Sequence, residues 1–259
     1  MYILKKGGTV RNFILSLIVI FVLWQVLPPL FKIPSFILPT PSEIISAIVK
    51  NDAVLAANLI VTVNEIILGF LIAIIIGISL AILIFAFKIL RDSIYPLIVI
   101  LYSTPRIAIA PIIIIWFGYG LLGLVTIVAL TAFFPILINT LVGFENVQPE
   151  LIELIRTMTN SRLKEFLNIR LPSSLPFIFT GLKTGMTQAA IGAIVAEFIA
   201  GQAGLGFIIN IGESTLSTTN MFAALLILVL ASLALYSSIS FIERFLIPWK
   251  KAGEYVVSE

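Results

Sequence analysis

Residues 144–177 read FENVQPELIELIRTMTNSRLKEFLNIRLPSSLPF. The stretch carries Glu150, Glu153, Arg156, Arg162, Lys164, Glu165 and Arg170, and it sits between two long apolar runs. Its own pattern is helical. Pro149 suits a first helical position and Glu150 follows it. Leu151, Ile152, Ile155 and Met158 fall at helical spacings on one side, while Glu153, Arg156 and Thr157 turn elsewhere. Asn160 or Ser161 suits the cap of a second short helix through Leu167, which Leu171-Pro172 is expected to end. Two amphipathic, ionic helices of this kind do not belong in lipid. An apolar stripe on an exposed polar loop asks for a groove in a partner protein.

Everything around that loop does belong in lipid. The chain has 259 residues, 60% hydrophobic and 11% charged, with a mean hydropathy of +1.16. Soluble domains carry about 25% charged residues. The class is therefore a polytopic, all-α membrane protein and not a soluble domain with one anchor. Six segments are long enough to cross at about 20 residues per span. They are Phe13–Phe31, Leu59–Phe87, Ser93–Phe117, Leu121–Gly143, Leu175–Ile199 and Met221–Pro248. The first could pass for a secretory signal, but PPLFKIPSF after it lacks a small-x-small cleavage site, so a retained helix is expected. The pI of about 9.2 reflects basic loops beside a membrane and not a nucleic-acid partner. The chain has no Cys and no His. That removes thiolate and imidazole metal sites, Cys nucleophiles and His acid–base catalysis. No metal, cofactor or catalytic residue is expected.

Lys and Arg set the orientation. With the N-terminus inside, Lys5, Lys6, Arg11, Lys88, Arg91, the basic residues of the polar loop, Lys183, Arg244, Lys250 and Lys251 all fall at or near the cytoplasmic side. Only Lys32 and Lys50 lie outside, and the external loop Gly201–Asn220 has no basic residue. Both termini and the loop 144–174 are expected in the cytoplasm, with the chain multi-pass in the plasma membrane. The expected divisions are 1–33, the N-terminus and first span; 34–57, an external connector; 58–248, the core; and 249–259, a tail.

Several local features qualify this plan. Thr40-Pro41-Ser42-Glu43 fits a capping box, followed by an apolar face of Ile44, Ile45, Ile48 and Val49. The product is either a helix on the outer membrane surface or a connector packed on the bundle. Gly69, Ala73, Gly77 and Ala81 recur every four residues, as do Gly181, Gly185, Ala189 and Ala193. Small residues at this spacing let helix backbones approach, at the bundle centre or at a subunit contact. Span three is broken by Pro96, Pro105 and Pro111, with Arg106 among them and Trp116 near its end. A discontinuous helix beside a charge is a feature of transport paths; the alternative is that Arg106 snorkels from a helix end. Glu197, one four-residue step beyond Ala193, is too costly for lipid. It either holds span five to a neighbour or lines a pore, so Arg106, Trp116 and Glu197 are the pathway candidates.

The polar loop resembles the EAA signature of ABC-importer permeases, E-A-A-x3-G-x9-I-x-L-P. The register is Glu153, Leu154, Ile155, Thr159, Ile169, Leu171 and Pro172. Leu154 and Ile155 stand where that signature has alanines, and Thr159 where it has glycine. The resemblance extends to LPTPSEI, GFLIAIIIGISLAIL, TPRIAIAPIIIIWFGYG, FPILINTLVGFENVQPELIE and GLKTGMTQAAIGAIVAEFIAGQAGLGFII. All look like the nitrate/sulfonate/taurine branch, over roughly Leu38 to Pro248. It implies the type I ABC importer permease fold and two copies forming the pore. It also implies a cytoplasmic ATPase dimer coupled through Glu150, Leu151, Glu153, Leu154, Ile155, Arg156, Met158, Thr159, Arg162, Ile169, Leu171 and Pro172, and an external protein that delivers the cargo.

The chain has no phosphate-binding G-x-x-x-x-G-K-[ST]; Gly181-Leu182-Lys183-Thr184 has Leu where that loop needs Gly. ATP hydrolysis is expected in a separate subunit, and the cargo is expected to be sulfonate-, nitrate- or taurine-like, or a pyrimidine type. Two other classes compete. An ion-coupled secondary transporter should show an internal repeat and midplane charges. A membrane enzyme would have to rest on Glu65 and Glu197, which read as isolated acids.

Overall fold

The computed structural model describes residues 6–248, and the side chains of residues 6–10, Phe13, Ser103 and Arg106 fall outside that description. The expected cytoplasmic tail and the basic residues Lys5, Lys250 and Lys251 lie outside the described residues. Eleven helices follow in order among those residues: α1 Lys6–Leu30, α2 Pro41–Lys50, α3 Asp52–Ala86, α4 Lys88–Ser103, α5 Ala110–Phe117, α6 Leu121–Glu145, α7 Pro149–Met158, α8 Arg162–Glu165, α9 Leu171–Ala200, α10 Leu205–Ser214 and α11 Thr218–Leu246. A 3-10 turn at Arg106–Ile109 precedes α5, and a π turn at Phe166–Arg170 joins α8 to α9. No strand occurs among the described residues. α3, α6 and α11 are each long and apolar enough to cross a membrane. Two bent pairs, α4 with α5 and the α8–α9 run with α10, have the length and composition of a broken span or a re-entrant loop, and Ile14–Leu30 of α1 is a shorter apolar run.

α6 is the axle of the bundle. Its most apolar window is 61% buried, against 11% for that of α11. α3 packs on one side of it and α9 on the other, and the two small-residue rows are what let them in. Gly69, Ala73, Gly77 and Ala81 are all buried, as are Gly181, Gly185, Ala189 and Ala193. A Cβ at Gly69 would stand 2.6 Å from Val128 Cβ, and one at Gly185 would stand 2.8 Å from Ile136 Cγ1. Both rows therefore mark the bundle centre. Lipid gives no hydrophobic drive between helices, so this close packing must hold them together. A half-buried ion pair, Lys183 Nζ to Glu243 Oε2 at 2.7 Å, adds α11 to α9.

Three expectations need correction. Leu171-Pro172 does not end a helix. The π turn widens the backbone just ahead of Pro172, whose missing N–H and bulky ring are absorbed there, and the chain runs on into α9. Gly201–Asn220 is not a plain loop. It contains α10, with Leu205 fully buried and Ile208 and Ile209 packed on the same cluster. On α2 the capping box is present as expected, but the expected apolar face splits. Ile44 and Ala47 are buried against α11 and Leu205, whereas Ile45 and Val49 point outward. The connector is packed on the bundle because Ala47 lies between Ile44 and Ile48 on the inward side.

Candidate functional site

At one end of the bundle, α7 and α8 form a bracket that projects from the helix ends. Pro149 occupies the first turn of α7 beside Glu150, and Arg156 lies in its last turn, both signs matched to the helix dipole. Only part of the expected stripe faces out. Leu151, Ile152 and Ile155 are half-buried, while Leu154 and Met158 are exposed at 58% and 76%, as is Leu163 of α8. Glu150, Glu153, Arg156 and Arg162 are also exposed, and Ile169, Leu171 and Pro172 are half-buried. Thr159 terminates α7 with φ −158° and ψ 143°. That is ordinary extended backbone, so the position does not need glycine's freedom. Thr159 Oγ1 accepts from the Ser161 N–H at 3.3 Å, and Ser161 caps α8 through the Lys164 N–H.

The bracket is bolted to the bundle by groups the sequence pattern did not single out as a set. Glu165 accepts from Arg156 Nε at 3.0 Å and from Arg170 Nε at 2.9 Å. Arg170 Nη1 also donates to the Phe144 carbonyl at the end of α6, and its guanidinium lies 5.0 Å above the Phe85 ring of α3. Phe85, Phe144 and Phe166 pack with centroids 5.2–6.2 Å apart. Burial pushes the Glu165 carboxyl up, but the hydrogen bonds and charges of Arg156 and Arg170 outweigh it and hold the group below the usual carboxylate range. The π turn is why this was hidden: it adds a residue, so Glu165 meets Arg170 five positions on instead of four. Arg91 and Glu145 pair across the ends of α4 and α6 at the same end of the bundle.

At the opposite end, the break between α9 and α10 is held by side chains from elsewhere. The Gly204 N–H donates to Asn58 Oδ1, and the Leu205 N–H to Thr62 Oγ1 at 2.8 Å. The N–H groups of Gly206 and Phe207 donate to the Glu197 carboxylate. The first-turn donors of α10, which no helix can satisfy internally, are thus all capped by α3 and α9. Thr62 donates in turn to Glu197 Oε1 at 2.6 Å. Glu197 is 1% exposed. Glu65, which the sequence left isolated, is buried in hydrogen-bond contact with it. A bond between two carboxyls needs one proton between them.

Of the other pathway candidates, Arg106 falls in the 3-10 turn at the break of the α4–α5 span, and its side chain lies outside the described residues. Trp116 is 74% exposed at the end of α5, beside exposed Tyr119. α9 carries a further polar face, outside the expected site residues. Thr180, Thr184 and Thr187 are exposed along one face, with Gln188 half-buried beside them. α3 and α11 expose mainly apolar side chains, including Leu71, Ile75, Val229 and Leu233, with single polar residues such as Asn64 and Ser237 among them. Threonines spaced four and three apart were the signal.

Comparison with known proteins gives this geometry a family. Residues 69–252 match the binding-protein-dependent transport system inner membrane component. The riboflavin transport system permease protein RibX of Chloroflexus aurantiacus is 34% identical over 237 residues, covering 91% of this chain and 88% of that one. The formylaminopyrimidine transport permease protein ThiX of Halalkalibacterium halodurans is 31% identical over 238 residues, covering 92% and 95%. Permeases named for aliphatic sulfonates, taurine and nitrate are also similar. A crystal structure of an amino acid ABC transporter with histidines shares the fold, with a TM-score of 0.62 and 18% identity over 78% of this chain and 96% of that one. With a loop of two short helices braced against a bundle of apolar ones, this chain belongs to the binding-protein-dependent transport system inner membrane components, the permease subunits of ABC importers.

Proposed function

We propose that two copies of this chain form the pore of an importer for a small heterocyclic, vitamin- or pyrimidine-type solute. The bracket faces the cytosol and seats in a dimer of ATPase subunits, and a binding protein delivers cargo at the α10 end. The observation that carries the coupling role is the bolted bracket. Exposed Leu154, Met158 and Leu163 offer an apolar face beside Glu153, and behind them Arg170, Glu165 and the three phenylalanines tie that face to the ends of α3 and α6. Closure of the ATPase subunits displaces α7 and α8. Because the bracket cannot yield independently, α3, α6 and α9 move with it as one packed body. The bundle switches between inward and outward access by rigid-body motion, with no chemistry in this chain.

The hydroxyl and amide face of α9 fits the wall of the path, since a face turned to lipid gains nothing from Thr and Gln. Thr180, Thr184 and Thr187 already donate to Pro176, Thr180 and Lys183 carbonyls, which leaves oxygen acceptors toward the path. Acceptors without a fixed positive charge suit a neutral heterocycle with N–H donors, in keeping with the names of RibX and ThiX. The second reading is a sulfonate- or nitrate-type anion, favoured by Arg106 at the break in its span. A calorimetric ligand screen on the cognate binding protein decides between them. Binding of a flavin or pyrimidine supports the first reading; binding of a sulfonate or nitrate alone replaces it with the second.

A further inference from the structure

Behind the docking face of the bracket, bounded by the groups that bolt it to the bundle, lies a cavity of about 580 Å³. One wall is Ile82, Phe85 and Ala86, the last turn of the long apolar helix α3. Lys88 follows at once, so this turn stands where a membrane helix leaves the hydrocarbon for the headgroup layer. The facing wall holds Arg156, Arg162 and Arg170 around the single carboxylate Glu165. Both Glu165 oxygens are taken by Arg156 and Arg170. Arg162 is exposed and has no hydrogen-bond or ion-pair partner among the described residues. Three guanidiniums against one carboxylate leave a net positive charge in a space that is otherwise apolar. Leu163 and Leu167, one helical turn apart, are 66% and 49% exposed and continue the apolar lining outward.

We propose that this cavity binds the headgroup of an anionic phospholipid. The chemistry has two parts, and the cavity supplies both. A phosphodiester takes paired hydrogen bonds from guanidinium groups, and basic pockets at a membrane helix end attract anionic headgroups. Acyl chains then lie along Ile82 and the exposed leucines. The outward face of the bracket meets the cavity only at Leu163, since neither Leu154 nor Met158 lines it. Bound lipid would brace the bracket from the membrane side while the partner acts on its other face.

The test is native mass spectrometry of the full-length permease with phosphatidylglycerol or phosphatidylcholine of matched chains. Phosphatidylglycerol should be retained preferentially. Arg162→Gln should cut that preference about fivefold, the loss expected for one cation beside an anionic surface. Leu167→Asp, which places a carboxylate at the lining, should abolish it, while Lys164→Gln, outside the cavity, should leave it unchanged. Either of the first two variants alone suffices if the other fails to fold. Equal retention of the two lipids overturns the proposal. So does displacement of phosphatidylglycerol by millimolar inorganic phosphate, which would make the site a free-anion site, or by the ATPase subunit, which would make the cavity part of its seat.

Discussion

Gly204 shows how tightly single residues govern the α9–α10 break. Its φ is +106°, and a Cβ there would overlap the Glu197 carboxylate. Backbone strain at such a position costs about 1–3 kcal/mol before the clash is counted. Gly204→Ala is expected to lower the melting temperature of the purified permease, and an unchanged melting curve would contradict the packing described. Glu197 answers a different question. In Glu197→Gln the amide oxygen can keep the Gly206 N–H. The Thr62 hydroxyl can then turn toward the Asn58 carbonyl, 3.2 Å away, and accept from the amide nitrogen. Uptake should stay near wild type. Glu197→Leu strands the Gly206 and Phe207 N–H groups, at about 1–3 kcal/mol for each buried donor, and should lower the yield of folded protein. Loss of uptake in the Gln variant with assembly intact would move Glu197 from a structural role into the path.

Among the elements, the bracket invites the sharpest test of coupling. Arg170→Ala removes the bond to Glu165, the bond to the Phe144 carbonyl and the contact over Phe85 at one stroke, while leaving the outward face of α7 and α8 untouched. ATPase subunits should still co-purify, and ATP hydrolysis should continue, but uptake should fall severalfold. Parallel losses of binding and uptake would show that Arg170 serves the docking surface instead. Glu153→Lys should act the other way, weakening co-purification first, because a reversed charge at a desolvated seat costs a few kcal/mol. The Glu165 carboxyl adds a pH signature. Its folded-state pKa lies below the ordinary 4.5. Its contribution to bracket stability is therefore fully present above pH 4.5 and is lost as pH falls through the lowered value. Hydrogen exchange of residues 149–170 should be flat from neutral pH down to the ordinary carboxylate range and should rise only below it, after correction for the intrinsic rate. A change near pH 6 would require another titrating group. These elements also mark where the sequence was legible. Long apolar runs, the capping box at Thr40 and the small-residue rows follow from local spacing. Of the six expected spans, however, only three are single unbroken helices long and apolar enough to cross among the described residues, because breaks and a π turn interrupt two of the others and the apolar run of α1 is shorter. α10, the π turn and the Glu65–Glu197 contact depend on partners far along the chain. Gly204 and Gly206 look like loop residues until Asn58 and Thr62 arrive to cap what they begin.

For the whole molecule the open quantity is direction across the membrane, and charge decides it. Arg91, Arg156, Arg162, Lys164, Arg170 and Arg244 all belong to helix ends or loops at the bracket end. At the α10 end, the segment between α9 and α11 contains no Lys or Arg. Short basic segments stay in the cytoplasm during insertion, so the bracket end should be cytosolic. ATP is there, and a coupling surface on the other side would have nothing to receive. The chain contains no cysteine, so single cysteines report without background. Exposed Gln202, before α10, and exposed Asn160, between α7 and α8, are suitable positions because neither makes a contact that holds its segment. In intact cells a membrane-impermeant maleimide should label Gln202→Cys at once and Asn160→Cys only after permeabilisation. Adding the ATPase subunits should then protect the cysteine at position 160 and leave that at 202 unaffected. The reverse labelling pattern would place the bracket outside and remove both the ATPase seat and the coupling mechanism. Correct labelling without protection would keep the orientation but move the seat away from α7 and α8.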